Sequence, residues 1–158
     1  MLEEAARQFS LEGETALITG GGTGLGFSVA RAFVAAGARV VLTGRREQIL
    51  AHSASQLGPA ASYLAHDLTN FDGMEGFAQD ITERFGPIGI LVNNAGIHLK
   101  KPAVETTEAD FLSVLNTHVT SAFLLSRSIA TTMLGRRKGS ILFMASMTSF
   151  IGMPRVAA

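Results

Sequence analysis

From Thr15 onward, short apolar runs alternate with stretches whose apolar residues recur every three or four positions, and this alternation leaves few folds open. Thr15–Thr19 is the first run, and it ends in glycines. A helical stretch follows from Leu25 to Ala36, with Leu25, Val29, Ala32, Phe33 and Ala36 on one stripe. Arg39–Thr43 reads as a second strand, Arg46–Leu57 as a second helix closed by Gly58-Pro59, and Ser62–Ala65 as a weak third strand. Phe71, Met74, Phe77, Ile81 and Phe85 make the clearest apolar stripe, stopped by Gly86-Pro87. Ile88–Val92 has the continuous apolarity of a strand buried on both faces. One long helix from Glu108 to Leu134, a basic turn from Gly135 to Gly139 and a fifth strand from Ser140 to Ala145 complete the pattern. Strands joined through helices require right-handed crossovers, so the expected fold is α/β: a doubly wound parallel sheet, Rossmann-like, of about five strands in one domain.

Composition narrows the function. Thirteen basic and thirteen acidic residues cancel, which leaves no electrostatic footprint for nucleic acid or an anionic membrane. There is no cysteine, and His52, His66, His98 and His118 have no metal-like spacing, so no metal site is expected. No apolar run approaches the roughly 20 residues of a membrane span. The acidic opening Met1–Glu4 lacks the layout of a secretory signal, which points to the cytoplasm.

Ligands on such sheets bind beyond the carboxyl ends of the strands, and the unusual residues fall there. Gly20, Gly24 and Gly26 join the first strand to the first helix in a G-x-x-x-G-x-G pattern that includes Thr23 and Leu25. A phosphate needs bare backbone N–H groups at a helix start, and glycines let the backbone approach it; an ordinary glycine-rich turn is the alternative. Gly44 stands at the end of the second strand, where an acidic residue would bind a ribose 2′-hydroxyl, and Arg45 and Arg46 follow it. That favours NADP, with NAD as the alternative, unless the arginines are only solvated helix residues. Asp67 and Leu68 end the third strand, where an aspartate can meet an adenine amino group or cap the next helix. Asn93, Asn94 and Gly96 end the fourth strand, where amides can tie strands together and floor a cofactor site, or form a turn of no function.

Together the glycine motif, Asp67-Leu68, Asn93-Asn94-Ala95-Gly96 and the strand leading to Ser146 resemble the short-chain dehydrogenase/reductase family, over essentially the whole chain. Phe9–Gly13 and Leu42–Arg46 are similar to gluconate 5-dehydrogenase-like and 3-oxoacyl-carrier-protein-reductase-like members. The resemblance implies an NAD(P)-dependent oxidoreductase that interconverts a secondary alcohol and a ketone, on a small-molecule substrate such as a sugar acid or acyl chain. It implies a homo-oligomer, a tetramer or dimer. It makes Ser146 the serine that orients the carbonyl. His118 falls where the family has an asparagine that holds a relay water, with Asn116 two residues earlier on another face of the helix. A histidine can hold a water too, or it is a buried residue with a structural bond.

The family's Tyr-x-x-x-Lys aligns immediately after Ala158, and Tyr63 cannot stand in for it. Residues 1–158 are therefore expected to be part of a longer enzyme, to be inactive as they stand, and to leave the fifth strand without an outer neighbour. A catalytically silent nucleotide-binding module and a flavodoxin-like domain are the competing readings.

Overall fold

The computed structural model describes residues 8–157; the opening Met1–Glu4 lies outside the described residues. The elements are β1 (Thr15–Thr19), α1 (Gly24–Ala35), β2 (Arg39–Gly44), α2 (Glu47–Leu57), β3 (Ala61–Ala65), α3 (Met74–Phe85), β4 (Ile90–Asn93), α4 (Glu108–Leu115), α5 (Ser121–Arg136) and β5 (Ser140–Phe143). All pairings are parallel and the sheet order is β3-β2-β1-β4-β5. The expected doubly wound sheet of five strands is thus present.

Strand alternation divides the core into two layers. Leu17, Val41 and Leu91 face α3 and α5, where Phe77, Ile81, Leu125 and Ile129 cover them. Ala16, Ile18, Val40, Leu42, Ile90 and Val92 face the other way, against Ala30 of α1 and Leu50 and Ala54 of α2. Each fully buried Leu or Ile stabilises the fold by about 1.5–3 kcal/mol relative to exposure. The central strands therefore fix the register. Ala16 pairs with Val40 on one side and Ile90 on the other, and a slip of one residue would turn the whole apolar set over.

Several boundaries differ from those expected. The long helix is two helices joined by a wide π-helical turn at Asn116–Thr120. The side chains of Thr117 and Ser121 hydrogen-bond back to the carbonyls of Ser113 and Thr117, a competition with the main-chain ladder that bends helices. A Thr107–Asp110 capping box starts α4, and α5 runs on to Arg136, where Arg137 turns left-handed. The helix expected from Phe71 begins at Met74, because the Met74 amide closes a turn on the Phe71 carbonyl. Ile88 is buried but precedes the ladder of β4. Leu25, expected on the inward stripe of α1, is 68% exposed.

Candidate functional site

The carboxyl ends of β1, β2, β3 and β4 open into a cleft of about 380 Å³. At its base, the Thr19 hydroxyl accepts from the amides of Asn94 and Ala95, both at 2.9 Å, and donates to the Val92 carbonyl. The Asn94 side chain returns the contact, donating at 3.0 Å to the Thr19 carbonyl and at 3.4 Å to that of Gly20. The strand ends are thereby locked together, as expected of an amide at this position, and Asn94 also lines the cleft. Asn93 departs from the expectation. It points away from the cleft into a separate cavity of about 50 Å³ and donates to the hydroxyl of Ser126 on α5.

Gly20, Thr23, Gly24 and Leu25 form one wall. Gly24 holds φ +55°, and a Cβ there would meet nothing within 4 Å, so the left-handed backbone faces open space. Gly26 is required for a different reason: a Cβ would collide with the Gly20 carbonyl and the Asn94 amide. Its role is close packing of α1 on β1, and it does not line the cleft. The first turn of α1 carries no acidic residue and no side-chain cap, which leaves its N–H groups and the positive end of the helix dipole available to an anion. Ser53 of α2 holds the same loop by donating to the Gly22 carbonyl at 2.8 Å. Sequence reading missed Ser53, because nothing in its neighbourhood signals a partner in the glycine turn.

Gly44, Arg45 and Arg46 form the far wall. Thr43, fully buried at the end of β2, has a hydroxyl with no hydrogen-bond partner. Asp67 and Leu68 complete this end. The Thr69 amide and hydroxyl donate to Asp67 at 3.0 and 2.8 Å and, with the Arg45 charge, hold its carboxyl below the usual range. The helix-capping role weighed for Asp67 is not what it plays: the next helix starts at Met74 after Gly73, and Asp67 instead closes a local turn onto Thr69 and lines the cleft. His66, just before it, stacks on Phe77 with ring centroids 4.2 Å apart. Burial pushes its pKa down, against a smaller opposing effect of Asp67.

Gly96 and Thr117 mark the near end of the cleft. His118 lies in the π-helical turn, and its Nε2 is 2.8 Å from the carbonyl oxygen and 3.1 Å from the amide nitrogen of Ile97. Protonated there, the ring donates to the carbonyl; protonated on Nδ1, it accepts from the amide. The ring lies so close over Gly96 that any Cβ would overlap it. His118 is exposed rather than buried, though it does make a structural bond, and it lines the smaller cavity beside Asn93, Phe143 and Met144.

Ser146 lies past the end of β5, exposed, and lines neither cavity. Its hydroxyl oxygen accepts from the Thr148 amide at 3.2 Å and meets the Thr148 hydroxyl at 2.9 Å, capping the turn Met147–Ser149. No hydrogen bond joins Ser146 to His118 among the described residues. The same residues contain no cluster of His, Cys, Asp or Glu able to hold a metal, and no helix long and apolar enough to cross a membrane.

A family model described as short chain dehydrogenase matches residues 14–158. The chain belongs to the short chain dehydrogenase family. It is 37% identical over 144 residues to a galactitol 2-dehydrogenase (L-tagatose-forming) of Cereibacter sphaeroides, covering 90% of this chain and 56% of that protein. It is 34% identical over 152 residues to a gluconate 5-dehydrogenase of Gluconobacter oxydans, covering 94% and 59%. Among solved structures, a gluconate 5-dehydrogenase from Burkholderia cenocepacia J2315, in complex with NADP and tartrate, superposes with a TM-score of 0.91 at 31% identity, covering 97% of this chain and 61% of that one. The chain thus spans less than two thirds of the length of each of these relatives.

Proposed function

We propose that this chain is the nucleotide-binding part of an NADP-preferring oxidoreductase that interconverts a secondary alcohol and a ketone. The observation that carries the reading is the far wall of the cleft, where Gly44 occupies the place of a ribose-binding acid and Arg45 and Arg46 follow it. The cleft fits such a group. It has an open left-handed glycine at Gly24, an uncapped helix start and an unpartnered hydroxyl at Thr43. The NADP complex of the Burkholderia relative supports the same cofactor class.

In this reading Gly20, Thr23, Gly24 and Leu25 take the pyrophosphate side, aided by Gly26, which lets α1 approach the strand. Arg45 and Arg46 pair with a 2′-phosphate. Asp67 and Leu68 meet the adenine. Asn94 and Gly96 floor the site, with Asn93 supporting from behind through Ser126. The bound nicotinamide supplies hydride transfer. Ser146 orients the substrate oxygen once it exchanges its turn-capping bond for one to substrate. His118 holds the Gly96–Ile97 backbone and presents a ring nitrogen for a relay water. Residues 1–158 act here as a single dinucleotide-binding unit, and proton exchange is assigned to no residue lining its cleft. Its substrate class is a polyol, sugar acid or related small hydroxy compound, in line with the names of the relatives. A cytoplasmic homo-oligomer completes the proposal.

Calorimetric titration tests it. NADPH is expected to bind at least about 10-fold more tightly than NADH, and Arg45→Ala to remove most of that difference, since a charge-assisted phosphate contact is worth roughly 1.5–3 kcal/mol. Equal affinity for the two nucleotides in the unmodified protein sinks the NADP assignment, and absence of binding to either sinks the reading.

A further inference from the structure

The charged and glycine residues of the cleft have a use in the reading above. His66 does not, and its surroundings are unusual. It is half-buried at the end of β3, its Nε2 is sealed from solvent, and that nitrogen has no hydrogen-bond partner. One face of the ring lies on Phe77 of α3, nearly parallel at 12°. Its backbone amide donates at 3.0 Å to the Gly44 carbonyl, one residue before Arg45. The next two residues, Asp67 and Leu68, line the cleft. This one residue therefore joins the two ends of the site, the adenine end through the chain into Asp67 and Leu68 and the 2′-phosphate end through its backbone amide on Gly44.

We propose that His66 makes nucleotide binding in this cleft acid-sensitive, because a proton on the sealed nitrogen forces the end of β3 away from Phe77 and takes Asp67, Leu68 and the Gly44 contact with it. This rests on the cleft being a nucleotide site. The neutral ring protonated on Nδ1 leaves only a lone pair at Nε2, which the apolar setting tolerates. An imidazolium would bury an N–H with no acceptor, and an unpaired buried charge is far more costly than an unpaired lone pair. The groups around the ring do not rescue it. Asp67 is the charge that acts on it directly, but its carboxylate accepts from the Thr69 amide and hydroxyl, and the nearby Arg45 charge offsets part of its field. α3 contributes the uncharged Phe77 ring, whose face attracts a cation but accepts nothing from the sealed N–H. β2 contributes backbone at Gly44.

Burial accordingly holds the His66 pKa below its ordinary value. A group depressed in this way binds protons more readily when the strand end is open or unfolded, so acid favours the open form. The closed arrangement is at full strength above about pH 6.5, the unperturbed value, and weakens as pH falls from there toward the folded value.

The experiment measures NADPH affinity from pH 7.5 to pH 5.5 in the intact protein and in His66→Phe, which keeps the stack on Phe77 and removes the sealed nitrogen. The 2′-phosphate itself titrates near pH 6, as phosphate monoesters do, but that contribution is common to both proteins. The unmodified protein is expected to lose more affinity than the variant over this interval, by up to about 10-fold, the limit set by the unit of pH between the ordinary imidazole value of about 6.5 and pH 5.5. Parallel profiles overturn the proposal. Amide hydrogen exchange of the nucleotide-free protein supplies a second reading, independent of any ligand. Protection at residues 66–70, corrected for intrinsic rates, is expected to fall with acid in the unmodified protein and to hold in His66→Phe. His66→Leu serves in both measurements if the phenylalanine variant does not fold. Protection that is flat with pH in the unmodified protein overturns the proposal, whether or not NADPH binds. Failure of NADPH to bind at pH 7.5 counts against the function proposed above and leaves the exchange measurement to decide this one.

Discussion

β1 and β5 are built from similar residues, Thr-Ala-Leu-Ile-Thr and Ser-Ile-Leu-Phe, yet they have opposite fates. Every residue of β1 is buried, whereas β5 is exposed at Ser140, Leu142 and Phe143. The difference is cover. β1 has strands on both sides and helices on both faces. Among the described residues β5 pairs with β4 alone and only Ile141 reaches the layer under α5, while Phe143 remains 60% exposed. Residue type thus says that a segment can be a strand, and neighbours decide whether its apolar surface stabilises anything. The cleft lies on the well-covered side of this divide, which is why its glycines and amides are held so closely.

Substitutions sharpen the contrast. Leu17→Ala, at a fully buried site of β1, is expected to lower stability by about 3 kcal/mol, the middle of the range for large-to-small core changes. Phe143→Ser in this chain should change stability by no more than about 0.5 kcal/mol and reduce self-association. Urea unfolding checks both, and a similar loss at the two positions would break the comparison. Gly96→Ala comes next, at about 1–3 kcal/mol, because the new methyl must displace the His118 ring. His118→Ala in the same chain should recover most of that loss, and a double-mutant cycle with no coupling would mean the backbone, and not the ring, sets the requirement.

The smallest effect lies at the half-buried Lys101–Asp110 pair, which ties the loop after β4 to α4. The Lys101 ammonium, aided by the Thr107 amide, holds the Asp110 carboxyl down at about 2. Its contribution is therefore present above the ordinary aspartate value and lost as pH falls through about 2. Lys101→Met should lower stability by a small, constant amount above about pH 4 and flatten the stability profile between pH 4 and pH 2, where the difference from the unmodified chain disappears.

What could be read from the sequence was local. The glycine turn, the strand ends and the apolar stripes are set by neighbouring residues, so the parallel alternation of strands and helices and the place of the cleft at the strand ends followed from them, while the strand order did not. Ser53 on Gly22, His118 on Ile97 and His66 on Phe77 join residues distant along the chain, and no local pattern reports them. The single long helix expected from Glu108 to Leu134 has an apolar spacing that runs through Asn116–Thr120 unbroken, yet one extra residue per turn there opens a π-helical turn. Leu25 obeyed helical spacing and still faced out, because the cleft, rather than the core, lies on that side of the first turn of α1.

The sheet order carries a consequence in time. β1 to β2 and β2 to β3 are joined by single crossovers, so the first half of the sheet closes short loops. β4 must instead pass back over the finished strands to lay Ile90 beside Ala16. The hydroxyl of Thr19 waits at that seam for the amides of Asn94 and Ala95. Those two amides should be among the last in the molecule to gain protection during refolding, so pulse-labelled exchange at Asn94 and Ala95 would serve as a clock for completion of the cleft.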